Sequence, residues 1–440
     1  MDRRDFLKIS GAAAAGLAAA SCTGGSSAPA GTGADIPDDA MVARHYPGTG
    51  LLGFGCMRWP ILEGTEDQID QEAVNAMVDK ALAHGVNYYD TSPVYLMGKS
   101  EEAASIALNR HPRSSWILAT KLSNFSNSSY ENSLAMYRRS MEIFKTDYID
   151  YYLLHSVANA NAFRERFESS GIMEFLLKER EAGRIRHLGF SFHGSTEGFD
   201  SMMELHDRYH WDFVQIQMNY LDWNHASGRN GNASHLYAEL EKRDIPVVIM
   251  EPLRGGALAD IPAPLAIKLK ERTPDASIAS WAFRFFEGFP KVLTVLSGMS
   301  CMEHLDNNLR TFCDLKGLSQ EEKDLLEAIG AEVDKYPLIR CTDCKYCMPC
   351  PYGIDIPGIF KFYNSALNEG TYVTSSEQKG FARARRRFLA EYDRAVETIR
   401  QADHCISCVK CQAACPQHIR IPRELRRIDE YVESLRQGKL

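Results

Sequence analysis

From Leu51 to Cys313 the chain repeats one unit: a short run of β-branched and apolar residues, then a longer amphipathic stretch. The short runs are LLGFGCM, VNYYD, WILATK, YIDYYLLH, RHLGFS, FVQIQMN, PVVIM and VLTVLSG. Segments such as QEAVNAMVDKALAHG, SEEAASIALNR, ENSLAMYRRSMEIF and SHLYAELEKR lie between them. In these segments apolar residues recur at three- and four-residue steps, the period of a helix with one buried face. Eight strands that alternate with helices predict an α/β fold, a (β/α)8 TIM barrel. With 440 residues, 45% of them hydrophobic and 25% charged, the chain has material for that barrel and for a second, smaller unit.

In such a barrel the chemistry belongs at the C-terminal ends of the strands. Four polar residues fall there: Asp90 ending VNYYD, Tyr95 just beyond it, Lys121 ending WILATK and His155 ending YIDYYLLH. Each has an ordinary reading by itself: a cap, a loop aromatic, a surface lysine, a core histidine. At successive strand ends they form a candidate set.

The remaining third of the chain is dominated by cysteine. Cys341, Cys344, Cys347 and Cys350 precede Pro351, and Cys405, Cys408, Cys411 and Cys415 precede Pro416. Spacings of two let three thiolates of one tight loop reach three corners of an iron cube, while the cysteine before proline is led away. A zinc ribbon needs two pairs rather than two quartets and gives no reason for the prolines. The pattern resembles two-cluster ferredoxins. That resemblance implies two [4Fe-4S] clusters with crossed ligands, one held by Cys341, Cys344, Cys347 and Cys415, the other by Cys405, Cys408, Cys411 and Cys350. The first run has two residues rather than three before Cys350. Between the runs, IPGIFKFYNSALNEG and FARARRRFLAEYDRAVETIRQAD carry helical periodicity, so the cluster unit is expected to be mostly helical.

The N-terminus, MDRRDFLKISGAAAAGLAAASC, pairs Arg3 and Arg4 ahead of a mildly apolar Ala/Gly/Leu run and resembles a twin-arginine export signal. Export of a folded protein suits a chain that acquires clusters in the cytoplasm. Cys22 after AAAS leaves two fates open: a lipid anchor, giving a membrane-attached lipoprotein, or plain cleavage, giving a periplasmic protein. A net charge of −8 argues against a nucleic-acid partner, and the basic RARRR at Arg383–Arg387 reads as a solvated helix face.

The strand-end motifs DTSPVY, ATK and LLH, in that order, are similar to those of the aldo-keto reductases, as are GFS with Ser191, QIQMNY with Gln217, EPLRGG and SGMSCMEHLDNN. The resemblance covers the barrel and, with the cysteine runs, points to aldo-keto reductase-like proteins with a C-terminal two-cluster module. It implies Tyr95 as the acid, Lys121 paired with Asp90 lowering the Tyr95 pKa, and His155 orienting a carbonyl. It further implies that Ser191, Gln217, Arg254, Gly255, Gly298 and Asn308 hold a nicotinamide cofactor. The chain departs from the family at Phe192, Met250, His304 and Asn307, where an asparagine, an aromatic residue, an arginine and a glutamate are usual.

The expected organisation is a signal over 1–30, a linker over 31–48, the barrel over 49–315 and the cluster unit over 316–440. The expected activity interconverts a small-molecule carbonyl and alcohol, with electrons relayed through the clusters to a separate redox partner and with NADP or NAD captured before export and held tightly. The alternative is an electron-transfer protein whose barrel is a non-catalytic binding module. Anaerobically purified protein should be brown and hold about eight irons per chain. Serine at Cys56, Cys301 and Cys313, which fit no cluster spacing, should leave that iron unchanged, and zinc without inorganic sulfide would contradict the assignment.

Overall fold

A computed structural model describes residues 36–440 apart from 66 and 227–229; the signal segment and Cys22 lie outside the described residues. All eight expected strands form: β1 Leu52–Gly55, β2 Tyr88–Asp90, β3 Ile117–Leu122, β4 Ile149–Val157, β5 Ile185–Phe192, β6 Phe213–Gln217, β7 Val247–Met250 and β8 Val292–Ser297. They pair in sequence order, and β8 closes on β1 in parallel register, with Leu52 opposite Val295 and Phe54 opposite Ser297. The structure is therefore the closed (β/α)8 barrel that the alternation predicts.

Alternation along each strand decides what fills the barrel. Tyr88, Ala119, Leu153, Phe213, Val248 and Leu293 meet in the interior. Their neighbours Tyr89, Leu118, Tyr152, Leu154, Val214 and Ile249 face the surrounding helices. Each large apolar side chain removed from water in this way contributes about 1.5–3 kcal/mol. Beyond the barrel, the helix Gln320–Val333 starts from a capping box between Ser319 and Glu322, and packs Leu326, Ile329 and Val333 with Leu265, Leu269 and Trp281.

The cysteine-rich unit is a helical module with its own core, built on Ile356–Asn368, Phe381–Ala395 and Ile421–Gln437. Its two halves repeat a motif: CPYGIDIP leads into the first of these helices and CPQHIRIP into the last. Each helix has its proline, Pro357 or Pro422, in the first turn, where the missing N–H costs nothing. Ile356 and Ile421, just before those prolines, are buried.

Asp90, Lys121, His155, Ser191, Gln217 and Gly298 all stand at or just beyond the C-terminal ends of their strands. The module sits over that end. Arg340 donates to the His225 carbonyl at 2.9 Å and Asn368 to the Asp260 carbonyl at 2.5 Å. Arg58, just after β1, donates to the Thr342 carbonyl and pairs with Asp343 at 3.4 Å.

Beneath this seat Arg254 and Asp222 form an ion pair at 3.0 Å, each side chain only 3% exposed. Asp222 also accepts from Gln217 at 2.7 Å and Asn219 at 2.6 Å. Removing one partner of a buried pair strands the other charge, so Asp222→Ala should cost about 3–5 kcal/mol in anaerobic denaturant unfolding. Asp222→Asn, which keeps the shape but removes the charge and one accepting oxygen, should cost nearly as much, and a clearly smaller cost would contradict a charge-based role.

Candidate active site

The fold brings the four strand-end residues into one group. Lys121 Nζ donates to Asp90 Oδ1 at 2.5 Å and to the Thr91 carbonyl at 2.8 Å, and Gln215 Nε2 donates to Asp90 Oδ2 at 3.1 Å. The pair is fully enclosed. Burial pushes Asp90 up and Lys121 down, and each charge opposes the shift of the other.

Tyr95 opens a short turn after β2, shaped by Leu96 and Met97 in the left-handed region at φ 49° and 54°. Its ring lies 4.8 Å from Lys121 Nζ and meets the His155 ring edge-on at 5.7 Å. Nδ1 of His155 is hydrogen-bonded to the Ser123 hydroxyl at 2.5 Å, and Ser92 stands behind at 3.4 Å. Burial, aided by the nearby positive charges of Lys121 and Arg166, keeps this imidazole well below its usual pKa and therefore neutral. Phe125, 49% exposed, lies 5.0 Å from the same ring.

The electrostatics of Tyr95 differ from the expectation. Lys121 does not depress this phenol: burial pushes it well above its ordinary value, and Tyr346, Asp90 and Glu251 push in the same direction. The physical reason is that the Lys121 charge is already compensated by Asp90 at 2.5 Å. Tyr95 therefore holds its proton throughout the neutral range.

Two of these neighbours were not singled out from the sequence. Tyr346, inside the first cysteine run, stands close enough to Tyr95 for the two phenols to influence each other's ionisation, which joins the cluster loop to the barrel site. Glu251, the first residue after β7, has φ 55°, and burial raises its carboxyl pKa. Its position at a strand end, in the quoted EPLRGG, was the available signal; for Tyr346 there was none.

The residues expected to hold a nicotinamide are also at this end, and each is engaged within the chain. The Ser191 hydroxyl accepts from the Ser156 N–H at 2.8 Å, and Asn308 donates to Ser297 at 2.9 Å. Gln217 donates to Asp222, and its oxygen accepts from Gln417 of the module at 2.9 Å. Arg254 is held by Asp222. A Cβ on Gly255 would meet the Thr342 carbonyl oxygen at 2.3 Å, and one on Gly298 would meet Arg58 Cδ at 2.6 Å. At the departures, Phe192 packs edge-on against Phe199 at 4.9 Å, His304 accepts from the Ser300 N–H at 3.3 Å and Asn307 accepts from Ser277 at 2.8 Å.

The eight cysteines of the module gather as two groups, none of them in a disulfide. Cys341, Cys344, Cys347 and Cys415 line one pocket, walled by Ile356, Phe360 and Ile421. Cys350, Cys405 and Cys408 surround Cys411 closely enough to oppose its ionisation. The resemblance to two-cluster ferredoxins implies the same two sets. Among the described residues no three such side chains are drawn together as for a single metal ion; the four thiols of the pocket ring a space instead. Burial raises Cys344 to about 11 and Cys347 to about 12, with neighbouring cysteines adding to both. Such a set ionises together only around a multivalent positive centre, which fits a [4Fe-4S] cluster.

Comparison with known proteins agrees with this anatomy. The sequence model of the aldo/keto reductase family matches residues 51–331, that of a 4Fe-4S dicluster domain matches 337–419, and that of the twin-arginine translocation signal matches 1–20. An uncharacterized oxidoreductase, YqkF, of Bacillus subtilis is 25% identical over 63% of this chain and 91% of its own length. L-galactose dehydrogenase of Arabidopsis thaliana is 24% identical over 64% of this chain and 92% of its own. Among solved structures, an aldo/keto reductase of Klebsiella pneumoniae in complex with NADP and acetate has the same fold, with a TM-score of 0.51, 20% identity and coverage of 64% of this chain and 91% of its own. The chain thus carries a twin-arginine signal and a ferredoxin-type iron–sulfur domain, and it belongs to the aldo/keto reductase family of oxidoreductases.

Proposed function

We propose that this protein is an exported iron–sulfur oxidoreductase that interconverts a small-molecule carbonyl and the corresponding alcohol, with its electrons passing through two [4Fe-4S] clusters to or from a separate redox partner. It acts outside the cytoplasm, in the periplasm or tethered to the membrane through Cys22. The observation that carries the reading is the closeness of Tyr346 to Tyr95, because it puts the cluster loop and the strand-end tetrad in one site.

Reduction of a carbonyl takes two electrons, which the redox partner supplies through the clusters, and two protons, of which one reaches carbon from solvent water and the other is handed to oxygen by the tetrad. Tyr95 enters with its hydroxyl protonated and donates to the substrate oxygen. Neutral His155, its Nδ1 taken by Ser123, turns Nε2 toward the same oxygen and orients it. The Lys121–Asp90 pair fixes the floor beneath the phenol, with Nζ 4.8 Å from its ring. Substrate enters past Phe125 and Met97, both exposed to solvent. When bound, a [4Fe-4S] cluster supplies one-electron transfer.

One observation favours the alternative, an electron-transfer protein with a non-catalytic barrel: the expected cofactor residues all have partners inside the chain. Replacement of Tyr95 separates the readings. In an anaerobic assay that follows oxidation of reduced methyl viologen by a panel of aldehydes and ketones, Tyr95→Phe should lower the rate about a hundred- to ten-thousandfold while circular dichroism stays unchanged. The wild-type rate should show no loss of an acid between about pH 6 and 9, because Tyr95 is raised above its ordinary value. Near-normal activity of Tyr95→Phe would favour the alternative. For the clusters, Cys415→Ser and Cys344→Ser should perturb one electron paramagnetic resonance signal, and Cys350→Ser and Cys408→Ser the other. Signals that instead follow the two sequence runs would refute the crossing.

A further inference from the structure

The family resemblance gives the barrel a dinucleotide site, and the chain keeps residues at its expected positions, yet the arrangement of those residues does not fit a dinucleotide. We propose that the cluster module has taken over this subsite, so that the protein works without binding NAD or NADP. The inference concerns binding and does not rest on the carbonyl reading.

The amide end of the site is already used. Gln217 is 8% exposed, its nitrogen donates to Asp222 and its oxygen accepts from Gln417, itself 6% exposed. A nicotinamide carboxamide would have to displace a buried amide–amide contact of the same chemistry, with no hydrogen bond gained.

The phosphate end is filled in the same way. Glycines let a backbone approach a ligand closely, and Gly255 has the left-handed φ of 67° suited to that task. Here the group that approaches is the Thr342 backbone, whose oxygen, carbon and Cα would lie 2.3, 2.6 and 2.7 Å from a Cβ on Gly255. At Gly298 the Arg58 side chain takes the space and carries its guanidinium to Thr342 and Asp343. The pyrophosphate of a dinucleotide has no room at either glycine.

Charge points the same way. Arg58 is matched by Asp343 and Arg254 by Asp222, while Glu251 brings a carboxyl beside them. Nη2 of Arg254 and the Thr342 hydroxyl are buried without a hydrogen-bond partner, but the Arg254 charge is matched by Asp222, so neither brings an unpaired charge to the two phosphates of a dinucleotide.

These contacts are pinned by the cysteine loops. Thr342 lies between Cys341 and Cys344, and Gln417 is two residues beyond Cys415, so both line the pocket of one cysteine set, and Arg58 of the barrel is held in place by its bonds to Thr342 and Asp343 of the same loop. To admit a dinucleotide the loop would have to leave the barrel with its three cysteines. An assembled cluster and a bound dinucleotide therefore exclude each other.

The test uses anaerobically purified, iron-replete full-length protein. Mass spectrometry of the denatured protein should find no stoichiometric nicotinamide. Titration with NADPH and NADH, followed by nucleotide fluorescence, should show no saturation up to about 1 mM, the affinity of a negligible site. Stoichiometric NAD or NADP in the denatured protein, or saturable submillimolar binding to the iron-replete form, would overturn the proposal. Because neither readout needs a substrate, a protein that reduces no carbonyl can still confirm or refute it.

Discussion

Four half-buried thiols that line a single pocket are the constraint on which the rest of this molecule turns. Enclosure makes Cys341, Cys344 and Cys347 resist ionisation, and an ionised neighbour makes each harder still to ionise. A cluster between them relieves both penalties, and it locks the loop from Cys341 to Cys347 and the turn after Cys415 into one shape. Thr342, Tyr346 and Gln417 ride on those segments, so the geometry that satisfies the thiols also sets three contacts on the barrel mouth. Cluster binding and the shape of the barrel site are therefore a single structural event.

The barrel site is arranged for proton handling in a dry environment. A lysine and an aspartate with almost no solvent contact are stable only because they pair and because Gln215 and the Thr91 carbonyl complete their hydrogen bonds. That pairing costs Lys121 its influence on Tyr95, and the phenol stays protonated and His155 neutral. A hydroxyl that keeps its proton until substrate arrives suits donation to a developing negative oxygen better than it suits abstraction from an alcohol at neutral pH.

Much of this was legible in the sequence, for identifiable reasons. Strand ends in a (β/α)8 barrel are fixed by the period-two runs themselves, so Asp90, Lys121 and His155 could be located by pattern, and cysteine spacing carries the geometry of a cube. The repeated CPYGIDIP and CPQHIRIP marked the internal symmetry of the module in plain text. What was hidden lies in contacts across the chain. Gln417 meets Gln217 over 200 residues and Arg58 meets Thr342 over 284, and no local signal encodes either. The expected cofactor residues were correctly found at the barrel mouth, but their state depends on a partner segment that periodicity does not reveal. The direction of the Tyr95 shift was hidden for a related reason: residue type gives a charge, whereas burial and the pairing of Lys121 with Asp90 are set by the fold.

The central claim is that the cluster-bearing loop and the strand-end tetrad share one site, and the anaerobic crystal structure of the iron-loaded protein tests it most directly. The account predicts a [4Fe-4S] cluster bounded by Cys341, Cys344, Cys347 and Cys415, with Tyr346 beside Tyr95 and Gln417 hydrogen-bonded to Gln217. Density for a dinucleotide running past Gly255 and Gly298, or a module lifted from the barrel mouth with the cluster intact, would contradict it.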